Sequence, residues 1–189
     1  MSKLILIKHA PPEVDPNVSS EQWHLGEKGR RLCGPLAERV KKYAVSEVVT
    51  SAEPKAAETG QELAKLLGVP TRVQEGLEEH DRSGVPHMRS GEFISMMELM
   101  FRRPDELVLG NETAEEALGR FQEAIDEVLA QCAEGTVAVV THGTVLALFL
   151  ARHNPDRNGF LLWRQLGLPS VVVVNASDFR IEEMIEKVE

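Results

Sequence analysis

Two strongly apolar segments near opposite ends of the sequence each lead directly to a histidine, and this pairing restricts the folds open to the chain. Residues 4–7 and 137–140 carry only aliphatic side chains, as expected for parallel strands that are covered on both faces. His9 and His142 stand just beyond these segments. Catalytic groups and ligands gather at the carboxyl ends of the strands in open α/β sheets, so we expect the two histidines to share one pocket. Either one alone would be explained more simply as a polar residue that ends a strand.

The residues after the second histidine predict that this pocket binds an anion. Gly143 permits a close approach of the backbone, and residues 144–150 form an apolar helix. The N-terminus of such a helix directs backbone N–H groups towards a negatively charged ligand. Phosphate is the ligand that fits this description.

Further alternation of strands and helices predicts the fold class. Residues 47–50 form a short buried strand, Ser51 is a good N-cap for a helix that ends at Gly68, and residues 112–132 form the longest helix. Residues 170–175 are a second valine-rich strand. The pattern predicts an α/β protein, a three-layer sandwich with a mostly parallel central sheet flanked by helices. Ser51, and Lys55 beyond it, then lie at the same edge of the sheet as the histidines.

Other segments are less regular. Residues 27–43 have helical spacing, but Gly34 and Pro35 should bend that helix or split it. Residues 71–74 are a weaker strand candidate, and residues 179–181 begin either an antiparallel edge strand or a terminal helix.

The chain of 189 residues is long enough for one domain, residues 1–189, with a small insertion at about residues 76–110. Glycines and prolines interrupt this insertion, which contains a short methionine-rich helix over residues 93–101. Its position favours a cap, or lid, over the site. Met96, Met97 and Met100 taken alone are equally consistent with packing into a core.

Composition excludes several classes of function. The 30 acidic and 21 basic residues give a net charge of −9, which disfavours binding to nucleic acid or to an anionic membrane. The two cysteines, Cys33 and Cys132, have no ligand spacing, so neither a disulfide framework nor a metal site is expected. The sequence shows no signal peptide and no membrane span, and we expect a cytoplasmic protein.

Four motifs now follow one another in the order of a known family. They are Lys8-His9-Ala10 after the first strand, Ser51 with Lys55-Ala56, Leu77-Glu78-Glu79, and Thr141-His142-Gly143. In this the chain resembles the histidine phosphatase superfamily, also called the phosphoglycerate-mutase-like family, from Leu4 to about Val174. Members of that family carry Arg-His-Gly or Arg-His-Ala, Ser-x-x-x-Arg-Ala, Leu-x-Glu and a late His-Gly.

The resemblance implies roles for particular residues. His9 would be the nucleophile that accepts the phosphoryl group, His142 would stabilise that group, and Glu79 would protonate the leaving oxygen. The spacing from Leu77 selects Glu79 over its neighbour Glu78. Independently of the family, imidazole is a competent nucleophile near neutral pH, and a carboxylic acid can protonate an alkoxide if its surroundings keep it protonated.

Two other histidines, His80 and His87, fall in the loop after Glu79. They could line the mouth of the site, although histidines in such loops are more commonly solvated.

The sequence departs from the family pattern at two positions, because Lys8 and Lys55 stand where the pattern has phosphate-binding arginines. The charge is kept, but the planar bidentate guanidinium is lost. Losing one charge-assisted hydrogen bond of about 1.5–3 kcal/mol would slow turnover roughly tenfold to a hundredfold at each position. We expect Lys8, Lys55, Ser51 and Gly143 to contact the phosphate.

These observations predict a metal-independent phosphomonoesterase without a cofactor, acting on a phosphorylated small molecule or phosphoprotein through a phosphohistidine. Two alternatives stay open: a catalytically weak or inactive module that binds phosphate or phosphopeptides, and a phosphoglycerate-mutase-like phosphotransferase. The short insertion argues mildly against the mutase, which needs a closed cap to exclude water. If the chain forms a homodimer, an exposed edge strand near Val171 to Ile181 is one place for the contact.

Overall fold

A six-stranded sheet runs through the centre of the molecule in the computed structural model, which describes residues 3–86, 88–132 and 135–189. Its strands are β1 (Lys3–Lys8), β2 (Val45–Thr50), β3 (Thr71–Val73), β4 (Thr136–Thr141), β5 (Ser170–Asn175) and β6 (Ile181–Ile185). The α-helices are α1 (Glu27–Val40), α2 (Pro54–Leu67), α3 (Ser90–Arg102), α4 (Ala114–Gln131), α5 (Gly143–His153) and α6 (Gly159–Gln165). Within the ranges described, we find no helix whose length and apolar character would let it span a membrane.

The order of the strands is β3-β2-β4-β1-β5-β6. The first four of these are parallel, β5 runs antiparallel to β1, and β6 runs antiparallel to β5. The predicted α/β class with a mostly parallel sheet is therefore confirmed. β1 and β4 are direct neighbours, and Lys8 pairs with Thr141 at their carboxyl ends. This register places the residues that follow the two strands side by side.

Helices cover both faces of the sheet, which confirms the three-layer arrangement. Side chains alternate along β1, so that Leu4 and Leu6 contact one apolar cluster and Ile5 and Ile7 contact the other. The first cluster contains residues of α3, α4, α5 and α6, and the second contains residues of α1 and α2. Burial on both faces explains why β1 is a continuous apolar run rather than an alternating one.

Helix α1 continues through Gly34 and Pro35 to Val40, so the split that the sequence allowed does not occur. Burial of its apolar face on both sides of the proline outweighs the lost hydrogen bond. The prediction for the start of α2 was wrong. Ser51 does not cap α2, which begins at Pro54 with Glu53 in the N-cap position. Proline suits the first helical position because its missing N–H would have no partner there. The open choice at residues 179–181 is resolved as β6, which forms the edge of the sheet beyond β5.

Helix α3 lies within the insertion at residues 76–110, and its two ends make different contacts. Met97 and Met100 are fully buried in the cluster that also contains Leu77 and Phe121. For these two methionines the structure shows core packing, one of the two explanations that the sequence allowed. Phe93 and Ile94, near the start of the helix, line a surface cavity, and Phe93 also packs against this cluster.

The close packing of α2 on β2 gives a test of the fold. A Cβ atom at Gly60 would lie 2.0 Å from Thr50 Cγ2, whereas one at Gly119, on the exposed face of α4, meets nothing within 4 Å. Gly60→Ala should therefore destabilise the protein by about 1–3 kcal/mol. Gly119→Ala should stabilise it by roughly 0.5–1 kcal/mol. Urea unfolding measures both, and equal effects of the two changes would contradict the packing.

Candidate active site

His9 and His142 lie in contact beneath the surface at the carboxyl end of the sheet. Their ring centroids are 5.2 Å apart in an edge-to-face arrangement. His9 is 6% exposed and His142 is 0% exposed. The His9 backbone N–H donates to Thr141 O at 3.0 Å, which extends the β1–β4 ladder up to the two side chains. Adjacent parallel strands thus bring together residues from opposite ends of the chain.

A hydrogen bond to the backbone selects the tautomer of His9. Its Nδ1 lies 2.8 Å from Ala10 O. A carbonyl oxygen only accepts hydrogen bonds, so Nδ1 carries the proton and Nε2 carries the lone pair. Burial, and then the neighbouring His142, hold the pKa of His9 well below its usual value of 6.5. His9 is therefore neutral at pH 7, with Nε2 available as a nucleophile.

His142 is fully buried. Its Nε2 lies 2.9 Å from Ser51 Oγ, which also accepts a hydrogen bond from the Glu53 backbone N–H at 3.2 Å. Burial lowers the pKa of His142 to about 3, although the Glu79 carboxylate opposes the shift. Its Nδ1 is buried and has no hydrogen-bond partner among the described residues. A buried polar atom without a partner is uncommon, and this one lies within the cluster.

The carboxylate of Glu79, which belongs to the loop after β3, lies at the N-terminus of α5. Its carboxylate accepts hydrogen bonds from the Thr144 N–H at 3.0 Å and the Val145 N–H at 3.2 Å, and Arg82 Nη2 is 3.5 Å away. Burial alone would raise the pKa of this carboxyl group, but Arg82, His142 and the backbone donors lower it well below its usual range. Glu79 is therefore ionised in the unliganded protein.

Glu78 turns away from this cluster. Its carboxylate accepts a hydrogen bond from the Gly76 N–H at 2.8 Å and lies 3.7 Å from Arg120. The two neighbouring glutamates point in different directions, as expected for adjacent residues in an extended segment.

Lys8 packs directly against Gly143. Its Nζ donates to Leu166 O at 2.6 Å, and a Cβ atom at residue 143 would lie 2.9 Å from Lys8 Cε. A side chain at residue 143 would therefore displace the end of the lysine, and glycine allows its close approach. Burial lowers the pKa of Lys8 below 10.5.

Lys55 is held differently, in the first turn of α2. Its Nζ forms a buried ion pair with Glu53 and donates to Ser20 O at 2.7 Å. Both predicted phosphate-binding lysines are thus close to the histidines, but each already has a partner within the protein.

Sequence reasoning missed two charged residues of this cluster. One is Glu53, which is 8% exposed and accepts a hydrogen bond from the Glu79 backbone N–H at 2.8 Å. Its Oε1 lies 3.6 Å from His142 Nε2. Burial raises the pKa of Glu53, against the opposing effect of Lys55. The sequence feature that could have identified Glu53 is its position inside the motif that runs from Ser51 to Lys55.

The other missed residue is Arg82. Its Nη1 donates to Thr144 Oγ1 at 3.2 Å, and its guanidinium lies over the ring of Phe93, 5.4 Å from the centroid. The guanidinium therefore stands beside the Glu79 carboxylate at the N-terminus of α5. The sequence shows a basic residue in the loop just after Glu79. Its contact with the site depends on how that loop folds.

His80 is one of the residues that line a cavity together with Glu53 and Glu79, but its side chain is buried and not solvated. It is 2% exposed, and its Nε2 donates to Glu112 O at 2.8 Å. Burial lowers its pKa, and its role is to hold the loop against the start of α4. His87 lies outside the described residues.

The cluster as a whole combines two neutral imidazoles with three cationic and two carboxylate side chains. The cations belong to Lys8, Lys55 and Arg82, and the carboxylates to Glu53 and Glu79. Against a chain of net charge −9 this is a locally positive site, which suits an anionic ligand. Among the residues that the structure describes, no group of three or more His, Cys, Asp or Glu side chains is arranged to hold a metal ion.

A comparison with known protein families shows that the model described as the histidine phosphatase superfamily, branch 1, matches residues 4–183. A mycobacterial glucosyl-3-phosphoglycerate phosphatase superposes with a TM-score of 0.73 at 20% identity, over 96% of this chain and 97% of its own. Bacillus stearothermophilus YhfR gives 0.74 at 22% identity, over 96% and 95% of the two chains.

A phosphoserine phosphatase from Entamoeba histolytica gives a TM-score of 0.76 at 14% identity, over 97% of this chain and 96% of its own. At sequence identities of 14% to 22%, these solved structures show that this chain shares their fold. A comparison with curated proteins found no match.

Burial of neutral His142 predicts a particular loss of stability in acid. The pKa of His142 is about 3 in the folded protein and about 6.5 in the unfolded chain. At a pH between these two values the unfolded chain binds more protons than the folded protein. The free energy of unfolding therefore falls as the pH falls. Between pH 7 and pH 5 the wild type should therefore lose about 2 kcal/mol more unfolding free energy than His142→Gln. Urea unfolding at the two pH values measures this difference. An identical pH dependence of the two proteins would show that His142 is not buried in neutral form.

Proposed function

Because the chain belongs to the histidine phosphatase superfamily, we propose that it is a phosphomonoesterase in which His9 carries the phosphoryl group as a phosphohistidine. The observation that supports this most strongly is the hydrogen bond between His9 Nδ1 and Ala10 O, which leaves a lone pair on Nε2. The proposed substrates are phosphorylated small molecules or phosphoproteins. Two of the solved relatives are named as phosphatases for glucosyl-3-phosphoglycerate and phosphoserine.

In the first step, His9 Nε2 attacks phosphorus as the bond from phosphorus to the leaving oxygen breaks. Negative charge on the equatorial oxygens is stabilised by His142, Lys8 and Lys55, and by the Gly143 N–H at the start of α5. These positive side chains supply the electrostatic stabilisation, and no metal ion is required by the proposal. Lys8 and Lys55 exchange their present partners, Leu166 O and Glu53, for phosphate oxygens as the substrate binds.

Glu79 is the proposed proton donor to the leaving oxygen. Its low pKa in the unliganded protein comes from Arg82, His142 and the N-terminus of α5. A phosphate dianion bound at the same place competes for these partners and repels the carboxylate, and both effects raise its pKa. The substrate thus favours the protonated form that the step needs. In the second step, water attacks phosphorus, Glu79 accepts the proton, and the bond to His9 breaks to release inorganic phosphate.

Arg82 compensates for the lysines in this proposal. Lys8 and Lys55 act as point charges, whereas the guanidinium of Arg82 can contact two phosphate oxygens in one plane. Its position beside Thr144 and Glu79 places it at the N-terminus of α5, where the anion is expected. The family pattern would supply such a group from the positions of the lysines, and here the loop after Glu79 supplies it.

We further propose that residues 76–110 act as a cap of the single α/β domain. The segment contributes Glu79 and Arg82 to the site, while Met97 and Met100 fix its helix to the core. An anchored cap with one face on the site positions these charged groups without a large closing movement.

A phosphate-binding module without turnover is the second candidate, and one observation favours it. Lys55 is neutralised by Glu53 within the buried site, so that part of the positive charge is not free for the transition state. Such a module would bind phosphate or vanadate and release no product. A mutase would instead pass the phosphoryl group from His9 to an added alcohol in preference to water.

The mechanism predicts the effect of removing the nucleophile. His9→Ala should abolish hydrolysis of an aryl phosphate in the presence of EDTA, because the phosphoryl group is transferred to His9 Nε2, and His142, which is fully buried and hydrogen-bonded to Ser51 Oγ, contributes only to binding. His153→Ala, in the last turn of α5, should keep the wild-type rate. Since burial lowers the pKa of His9, the loss of kcat/KM in acid should begin below pH 6.5. Radiolabelled substrate should leave an acid-labile label on the wild type alone.

Equal activity of wild type and His9→Ala would contradict the proposed nucleophile. No activity in either protein, together with phosphate binding measured by calorimetry, would favour the binding module.

The planar pair of hydrogen-bond donors of Arg82 can be tested separately from its positive charge. Arg82→Lys keeps the charge and loses the planar donor pair, so kcat/KM should fall roughly tenfold to a hundredfold. Arg72→Lys is the matched control, because Arg72 contacts Glu47 and Gln74 at β3, away from the site. Steady-state kinetics on a common substrate compare them. If both changes leave kcat/KM unaltered, Arg82 does not contact the phosphate.

A further inference from the structure

We propose that the natural substrate is a small phosphomonoester with an apolar, uncharged leaving group, about the size of one or two rings, which binds in a cavity adjoining the phosphate site. This inference rests on the proposed phosphatase function and names its class of substrate.

The cavity lies between the loop that follows β1 and the cap, and it has a volume of about 700 Å³. A second cavity of about 450 Å³ contains Glu53 and Glu79 of the candidate active site. Arg82 and Ser20 line both of them. A substrate whose phosphate lies near Arg82 can therefore extend its leaving group directly into the larger cavity.

The walls of this larger cavity are mostly apolar. They include Trp23, Val85, Met88, Phe93 and Ile94. Among the described lining residues Arg82 alone is charged, and its guanidinium already lies beside the Glu79 carboxylate. A leaving group that carries a carboxylate would find no further cation there. An apolar leaving group would instead exchange water for hydrocarbon and aromatic contacts.

Contacts outside the cavity hold its aromatic walls in place. The indole Nε1 of Trp23 donates to Asp15 O at 2.9 Å, which ties the loop after β1 to this ring. The ring of Phe93 lies between the guanidinium of Arg82, 5.4 Å from its centroid, and the ring of Trp163, with the two ring centroids 6.0 Å apart. A wall that is already ordered binds an apolar group without the cost of ordering side chains.

The size of the cavity also favours a larger leaving group. Sites for small ligands commonly have volumes of about 300–1,000 Å³, and about 700 Å³ lies well inside this range. A three-carbon leaving group would fill only a small part of this space and would leave apolar surface in contact with water.

The test compares primary alkyl phosphates, whose leaving alcohols have similar reactivity, so that differences in rate report on the cavity. The kcat/KM of the wild type for 2-phenylethyl phosphate should exceed those for ethyl phosphate and glycerol 1-phosphate by about tenfold to a hundredfold, from the added apolar area buried. Ile94→Ala, which shortens a cavity wall, should reduce the ratio of phenylethyl to ethyl ester at least threefold or so. Leu99→Ala is the matched control, because Leu99 lies on the same helix but is exposed away from the lining residues.

Hydrolysis of all three esters with similar kcat/KM would overturn the inference and leave the phosphatase function standing. Hydrolysis of none of them would count against the phosphatase function. In that case calorimetry with the non-hydrolysable 2-phenylethylphosphonate and ethylphosphonate decides the inference: tighter binding of the phenylethyl compound, lost in part in Ile94→Ala, supports it, and equal binding overturns it.

Discussion

The parallel pairing of β1 with β4 is the interaction on which the rest of the site depends. The register that pairs Lys8 with Thr141 places His9 beside His142, and a shift of one residue would turn one of the histidines to the opposite face of the sheet. The same pairing brings Gly143 against Lys8, where a side chain at position 143 would collide with the lysine. The burial of β1 on both faces makes this register costly to change, because every one of its apolar residues contacts a core cluster.

Burial at this edge of the sheet also determines the charge state of the site. Removing the two imidazoles from water keeps both of them neutral, which suits a nucleophile and leaves the positive charge to Lys8, Lys55 and Arg82. The carboxylates respond differently to the same burial. Glu79 stays ionised because α5 and Arg82 offset the loss of water, whereas the pKa of Glu53 rises although Lys55 is next to it. In the proposed reaction, the arrival of phosphate changes the balance at Glu79 and so couples substrate binding to proton transfer.

The proposed cap joins this charged site to the proposed substrate cavity through the two ends of α3. Met97 and Met100 are buried in the core towards the C-terminal end of the helix, and Phe93 and Ile94, near its start, line the cavity. Because Arg82 contacts Phe93 on one side and Thr144 on the other, a single side chain connects the cavity to the N-terminus of α5. In the proposed function, specificity and phosphate binding are therefore linked by one short loop between Glu79 and α3.

The sequence by itself determined the fold class and the two strand-end histidines, because aliphatic runs and helix periodicity report on burial that is local to each segment. It also predicted that Lys8, Gly143 and Ser51 lie near the histidines, although it assigned Ser51 wrongly as a helix cap. Only the tertiary structure revealed Glu53 and Arg82 as part of the cluster, and showed that His80 is buried. These facts depend on contacts between segments far apart in the chain, and on the path of loops whose polar residues carry no periodic signal. The charges that face a bound anion are thus decided by packing, which no local pattern of residues encodes.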